Sequence, residues 1–391
     1  MKPPREVDRP TYDIAGAVRQ YDQRDHPNAR MELRPGNPEY VDYYSRHPDL
    51  REWDDENRRL RSGASRRRRE KDPINERFSD SAKYGRALMA TRAIVGDGAL
   101  DSTQLGDRID VDPQEISLKI KAFARYLGAG RVRITELNQD WVCTNYAHPY
   151  IAAEDYGAPV KLDYKYIICM VIPQNLDMIS NGFSIAMSTE TQWKYSVGAL
   201  ISVTMAHFIR SLGWPARALP PGNSPYLVVP TFVDAGIGEQ GRCGHVVTKE
   251  FGNNFRPGAV ATNMPLQTDR PVDFGLQDFC EKCYICAEAC PPGAISKESK
   301  QVVRGVKRWH FDGNKCRRFW DSIGGSCGIC QAVCPWSHPN NWFHNLMREL
   351  AETFPSLCRL LIYGEKAVYG KFKPRPVPAW MKTRGTQPGP S

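Results

Sequence analysis

Between Asp112 and Leu137 the chain changes its hydrophobic period. Ile116, Ile120, Phe123 and Leu127 recur at helical spacing. Asp112 is placed to cap that helix, Pro113 suits its first position, and Glu115 completes a capping box. Gly128 and Gly130 end it, and Val132 to Leu137 then alternates with a strand's period of two. Leu162 to Ile172 (LDYKYIICMVI) is the most strand-like run, rich in branched and aromatic residues and closed by Pro173. Thr189 to Leu212 returns to helical spacing, with Trp193, Val197, Leu200, Ile201, Met205 and Phe208 on a broad apolar face and Gly213-Trp214-Pro215 as its stop. Helix, glycine turn and strand in succession predict an α/β layer.

The flanks are less regular. Residues 1 to about 75 are polar and proline-punctuated, which predicts an extended arm with short helices; Arg66 to Arg69 are expected in a solvated loop. A helix is expected over Ala82 to Val95, and Trp336 to Tyr363 reads as helical and aromatic, with Trp336, Trp342 and Phe343 expected to cover a metal site. Ala216 to Leu219 and Tyr226 to Val229 are short apolar runs about a rigid Pro-Gly turn. Residues 251 to 279 show little periodicity and predict no regular element. The aromatic loop from Trp141 to Tyr156 contains Cys143 and His148, which read as packing or pocket lining because no second ligand pair accompanies them. The tail from Lys371 is Pro-rich and reads as peripheral.

At 391 residues with 41% hydrophobic positions, the chain can bury one large core or two modest ones. Its 53 Lys and Arg against 44 Asp and Glu leave a mixed surface of net charge +9, so no nucleic-acid partner is expected. No run of eighteen apolar residues is present, and the first residues lack an apolar signal core or a twin-arginine motif. A cytoplasmic location is expected, compatible with peripheral membrane association.

The cysteines carry the chemistry. Cys280, Cys283, Cys286, Cys290 and Pro291 spell C-x2-C-x2-C-x3-C-P, and Cys327, Cys330, Cys334 and Pro335 repeat its tail, with Cys316 eleven residues upstream. Two-residue gaps let a backbone curl round a [4Fe–4S] cube and aim successive thiolates at different irons, while the cysteine three residues on reaches a neighbouring cube. The spacing therefore predicts two clusters, one on Cys280, Cys283, Cys286 and Cys334 and the other on Cys290, Cys316, Cys327 and Cys330. Zinc does not account for the repeated tail, and a chain this long needs no disulfide staples.

Asp234 to Gly244 (DAGIGEQGRCG) contains Gly236, Gly238, Gly241 and Gly244. It lacks the strand, helix start and acidic residue of a dinucleotide site, but its glycines permit close approach of backbone to a bulky ligand.

From Gly213 to Cys334 the order GWPAR, GNSPYLVVP, DAGIGEQGR, TKEFGNNFRPGAVATNMPLQTDRPVDFGLQDFC and then the two cysteine runs resembles the corrinoid- and iron–sulfur-dependent reductive dehalogenases. The resemblance implies an α+β fold in which a nitroreductase-like α/β domain holds a base-off cobamide, of the cobalamin or norpseudo-B12 type, beside a ferredoxin-like domain with two [4Fe–4S] clusters. The boundaries it suggests are an arm over 1–78, a corrinoid domain over 79–272, a cluster domain over 273–345 and a C-terminal helix and tail over 346–391. It implies Tyr195 as proton donor, Arg256 as the assisting cation and Asn223 as a third catalytic residue, with cofactor contacts at Gly236, Gly238, Gly241, Arg242 and Thr262. A phenol can act as an acid, and a guanidinium nearby favours the phenolate left behind. It further implies a small organohalide substrate and a separate low-potential donor, which is a ferredoxin, a flavodoxin or a membrane redox protein; a homodimer is compatible. The alternatives are an epoxyqueuosine-type reductase with the same cofactors and a noncatalytic corrinoid and iron–sulfur electron-transfer protein.

Overall fold

In this computed structural model the described residues are 1–71, 87–88, 100–102, 105–147, 155–222 and 224–381. The helix expected over Ala82 to Val95 lies almost wholly outside them, as do His148 and Asn223.

Five strands, β1 (Asp101–Ser102), β2 (Arg131–Glu136), β3 (Tyr166–Pro173), β4 (Ala216–Leu219) and β5 (Phe255–Thr262), pair antiparallel in the order β1-β4-β5-β3-β2. Both faces are covered. Ile168, Met170 and Ile172 of β3 point into one core with Ile120, Ile201 and Met205, while Ile167, Cys169 and Val171 point into the other with Phe232 and Ile237. That explains why β3 reads as a continuous apolar run rather than an alternating one. Each such side chain contributes about 1.5–3 kcal/mol of burial.

Three helices frame the sheet and its flank. The arm's α1 is Pro48–Lys71, α2 is Pro113–Tyr126 and α3 is Ile185–Ser211. Asp112 caps α2 as its sequence predicts, accepting the Glu115 amide at 2.7 Å. α3 begins four residues before Thr189 because Ser184 caps it, accepting from the Met187 amide. Arg66 to Arg69 lie in the last turns of α1, which corrects the loop expectation. Tyr226 to Val229 runs into the helix Val228–Asp234.

The strand β5 stands where little periodicity was visible. Its sequence, FRPGAVAT, is poor in branched residues because α3 crosses it closely: a Cβ on Gly258 would meet Ser202 Oγ at 3.2 Å. Pro257 is tolerated because β4 pairs only with residues 259–262, so its position has a neighbour on one side alone.

The whole is α+β, and the rest gathers around the two cysteine runs. Its elements are α4 (Leu276–Lys282), a hairpin of Gln301–Val303 and Val306–Arg308, α5 (Gly313–Ile323), α6 (Trp342–Thr353) and α7 (Cys358–Tyr369). The first 71 residues lace across both units. Arg5–Glu6 pairs with Val272–Asp273, and Asp13–Ile14 adds a strand to the hairpin. Tyr12 donates to Asp234 at 2.6 Å, and Arg30, ion-paired with buried Asp54, also donates to Asn314 on α5 at 2.8 Å. Among the described residues no helix is long and apolar enough to cross a membrane.

Candidate functional site

Cys280 stands on α4, Cys283 caps that helix, and Cys286 sits on the short helix Ile285–Glu288. Cys286 lies within electrostatic reach of Cys280, Cys283 and Cys334. Cys330 lies likewise within reach of Cys327, Cys316 and Cys290. The folded chain thus gathers a first thiol set (280, 283, 286, 334) and a second (290, 316, 327, 330), with Cys290 and Cys334 exchanged between the two runs. The long interval before Cys327 is α5 itself, which carries Cys316 near its start and ends on Gly324 in the left-handed region at φ 66°.

Burial pushes the Cys283 thiol up to about 11 and Cys316 to about 12, and raises Cys280, Cys286 and Cys330 well above their ordinary value. Backbone amides nevertheless point at these sulfurs: Ala294 donates to Cys290 at 3.3 Å, and the amides of Ile285, Ile329 and Trp336 donate to Cys283, Cys327 and Cys334. Donors aimed at buried thiols fit thiolates held on iron, whose binding displaces the protons.

Trp336 covers this region, 2% exposed and packed on Phe274 and Phe279 at 5.0 and 5.7 Å. Trp342 and Phe343 do not: at 78% and 40% exposed they stand on the outside of α6, which corrects their expected role. The helix amphipathicity turns them outward while Arg348 and Ala351 face in.

The glycine motif folds as a small hairpin, Glu239–Gln240 with Val246–Val247, driven into the cluster unit. A Cβ on Gly236 would strike the Arg270 carbonyl, one on Gly238 the Val247 carbonyl, and one on Gly241 the Val247 side chain at 2.8 Å. The close approach these glycines permit is therefore to protein. Arg242 is buried, donating through Nε to the carbonyls of Cys280 and Cys283 at 2.9 and 3.1 Å and through the fork to Ser296, Glu298 and Glu281. Thr262 spends its hydroxyl on the Pro215 carbonyl and the Met264 amide at the far end of β5, about 20 Å along the strand from Arg256.

Arg256 and Tyr195 do come together. Arg256 stands near the start of β5, Tyr195 on α3, and the guanidinium lies 5.5 Å from the phenol ring. Arg256 Nη2 donates to Thr191 Oγ1 at 3.0 Å, and its buried Nε has no partner among the described residues. Around it, Gln174 Nε2, Asn254 Oδ1, Thr189 Oγ1 and Gln192 Oε1 are also buried without partners among the described residues. Burial, with the Arg256 charge as the lesser cause, pushes the His245 imidazole down to about 4. Phe183 and Trp193, 45% and 46% exposed, stand just before α3 and on it, Trp193 turned to another side of the helix from Thr191 and Tyr195. A cavity of about 520 Å³ lies one turn earlier on α3, lined by Asn175, Met178, Glu190 and the C-terminal Arg375 and Trp380.

The second thiol set adjoins this site. Asn253 donates to the Cys330 carbonyl at 3.3 Å and to Cys243 Sγ at 3.4 Å, while Gln331 donates to the Asn253 carbonyl at 2.7 Å and to Gln174 Oε1 at 3.4 Å. Cys243 lies within reach of both sets. Glu239, Asn253, Gln331 and Arg348 were not legible as site residues. Their only signal is that polar side chains occupy otherwise apolar stretches, as in Asn253-Asn254 before Phe255.

Residues 279–337, which include all eight of these cysteines, match the 4Fe–4S dicluster domain family. The chain is 32% identical over 291 residues to the tetrachloroethene reductive dehalogenase of Sulfurospirillum multivorans, covering 66% of this chain and 58% of that one. It is 36% identical over 204 residues to the tetrachloroethene reductive dehalogenase of Dehalobacter restrictus, covering 49% of this chain and 36% of that one. Among solved structures, the catabolic reductive dehalogenase NpRdhA in complex with 3-bromo-4-hydroxybenzoic acid superposes with a TM-score of 0.72 at 24% identity, over 94% of this chain and 49% of that one, a likeness of fold. The chain thus spans little more than half the length of the first of these relatives. It carries two [4Fe–4S] clusters.

Proposed function

The chain belongs to the corrinoid- and iron–sulfur-dependent reductive dehalogenase family, and from that premise we propose that it replaces the halogen of a small organohalide by hydrogen. The reaction takes two electrons and one proton and releases halide. The first thiol set holds one cube and the second holds the other. A bound cobamide supplies the cleavage of the carbon–halogen bond, with electrons delivered through the cubes.

The unpartnered atoms of Gln174, Thr189, Gln192 and Asn254 fit a ligand with many amide edges, and these residues would hold it. Tyr195 gives its phenolic proton to the carbon that loses halogen. Arg256 stabilises the phenolate, and its free Nε–H is a donor for the departing halide. Exposed Phe183 and Trp193, just before α3 and on it, offer apolar surface that would favour an apolar substrate. The observation that carries this reading is the Arg256–Tyr195 pair, set among unpartnered polar atoms, with Asn253, three residues before Arg256, hydrogen-bonded to the Cys330 carbonyl of the second thiol set.

A separate low-potential protein supplies the electrons. Protein reconstituted anaerobically with iron, sulfide and a cobamide is expected to bind about eight irons and one cobalt, and to release halide from an organohalide under a low-potential reductant. Full iron and cobalt loading with no halide release from a panel of aryl and alkenyl halides would overturn the proposal.

A further inference from the structure

The two cube seats differ in buried charge. Behind the first stands Arg242, 1% exposed, whose side-chain hydrogen bonds among the described residues all end on backbone carbonyls, with the Tyr284 and Trp309 rings 4.2 and 5.4 Å from its guanidinium. Its own backbone amide also donates to the Cys280 sulfur. On the other flank stands Arg348, 3% exposed and within electrostatic reach of Cys334. It donates to the carbonyls of Trp336 and His338 and to the side-chain oxygens of Asn340 and Asn345. Among the described residues neither guanidinium hydrogen-bonds a carboxylate; Glu250, itself paired with Arg131, acts on Arg348 only at longer range.

The second seat is the opposite. Arg317, beside Cys316, is closed bidentately on buried Asp321 at 2.9 to 3.1 Å, and Arg318 is paired with Glu56 at 3.0 Å. Those charges cancel at short range, whereas the two at the first seat do not.

Burying a cation against neutral dipoles alone is unfavourable unless an anion compensates it. The compensating anion at the first seat is the cube with its thiolates, and a cube that accepts an electron gains one more negative charge. We propose that Arg242 and Arg348 are potential-setting residues of the cube on Cys280, Cys283, Cys286 and Cys334, holding its midpoint above that of the second cube so that it fills first. The step is a one-electron uptake from an external low-potential donor, with no bond formed or broken. The inference rests on the two-cluster assignment and not on the substrate chemistry, so it stands or falls separately from dehalogenation.

The test is an EPR-monitored redox titration of the full chain reconstituted with iron, sulfide and cobamide. Iron content separates failed assembly from a shifted potential. Arg242→Gln and Arg348→Gln are each expected to move the same midpoint to more negative potential, by at least tenfold in the reduction equilibrium, about 59 mV for one electron, and to leave the other in place. Arg242→Lys, which keeps the charge but loses the planar fork, is expected to stay close to the unaltered protein. Cys283→Ser assigns the seats, since the midpoint it moves or removes belongs to the first cube. Gln variants with full iron and unshifted midpoints would overturn the proposal, as would a Lys variant that shifts as far as Gln. Should neither Gln variant assemble, Cys283→Ser decides alone: the proposal survives if the midpoint it perturbs is the higher and fails if it is the lower.

Discussion

Two cube seats with the same C-x2-C-x3-C-P spacing sit in unlike surroundings. Both receive amides on their sulfurs from residues two places further along the chain, Ile285 and Trp336 at the first and Ile329 at the second. Those donors follow from the local backbone path, so a repeated motif repeats them. What differs comes from far away in sequence. The glycine hairpin and α6 bring bare guanidiniums to the first seat, and the arm and α5 bring paired ones to the second. A motif fixes which metal is bound; its distant neighbours fix what that metal does.

The largest effect that separates the seats comes from their exchanged ligands. Cys334→Ser is expected to remove or convert the first cube and leave the second, with up to about half the iron lost, although Cys334 follows Cys327 and Cys330 in the chain. An EPR spectrum in which the second cube is lost instead would break the pairing. Next, Tyr195→Phe, beside the second seat, is expected to lower turnover by roughly 10²–10⁴-fold while iron content and both midpoints hold. Retained halide release would move the proton donor elsewhere.

Smaller is the loss from Glu239, which fastens the first seat to the α/β unit. Fully buried, it accepts the amides of Phe274 and Leu276 at 2.9 and 3.2 Å and the Gln277 side chain at 3.1 Å. Glu239→Ala leaves these donors unpaired and is expected to cost roughly 1–3 kcal/mol in denaturant unfolding. Burial also raises this carboxyl from 4.5 to about 7. The folded chain therefore keeps a proton through a window in which the unfolded chain has lost it. Its contribution makes stability fall as pH rises from about 4.5 to about 7, and Glu239→Gln is expected to flatten that slope. The smallest effect is expected from Trp342→Ser on the exposed side of α6, within about 0.5 kcal/mol and with both midpoints unmoved.

Much of this was legible where local rules act. The Asp112 cap, the apolar run of β3 and the α3 stripe are each set by residues within one or two turns of each other, and so is the thiolate spacing. β5 was illegible because its small residues answer to the closeness of α3 and not to strand propensity. The glycines of residues 236–241 announced a tight approach without saying to what, and Arg242 reads like any surface arginine until Cys280 and Ser296 are folded around it. Tyr195 and Arg256, sixty-one positions apart, are joined only by the packing of α3 on the sheet.

The arm sets an order of events during synthesis. Arg30 waits for Asn314, and Asp13 for Lys307, before either contact exists. At roughly 5–20 residues per second a ribosome needs about 15–60 s to make that interval. The arm is therefore already made when α5 emerges, and Asn28 and Arg30 can close over that helix as soon as it folds. Cys316 stands on that helix, so the second cube's seat and its latch come together only at the end of synthesis.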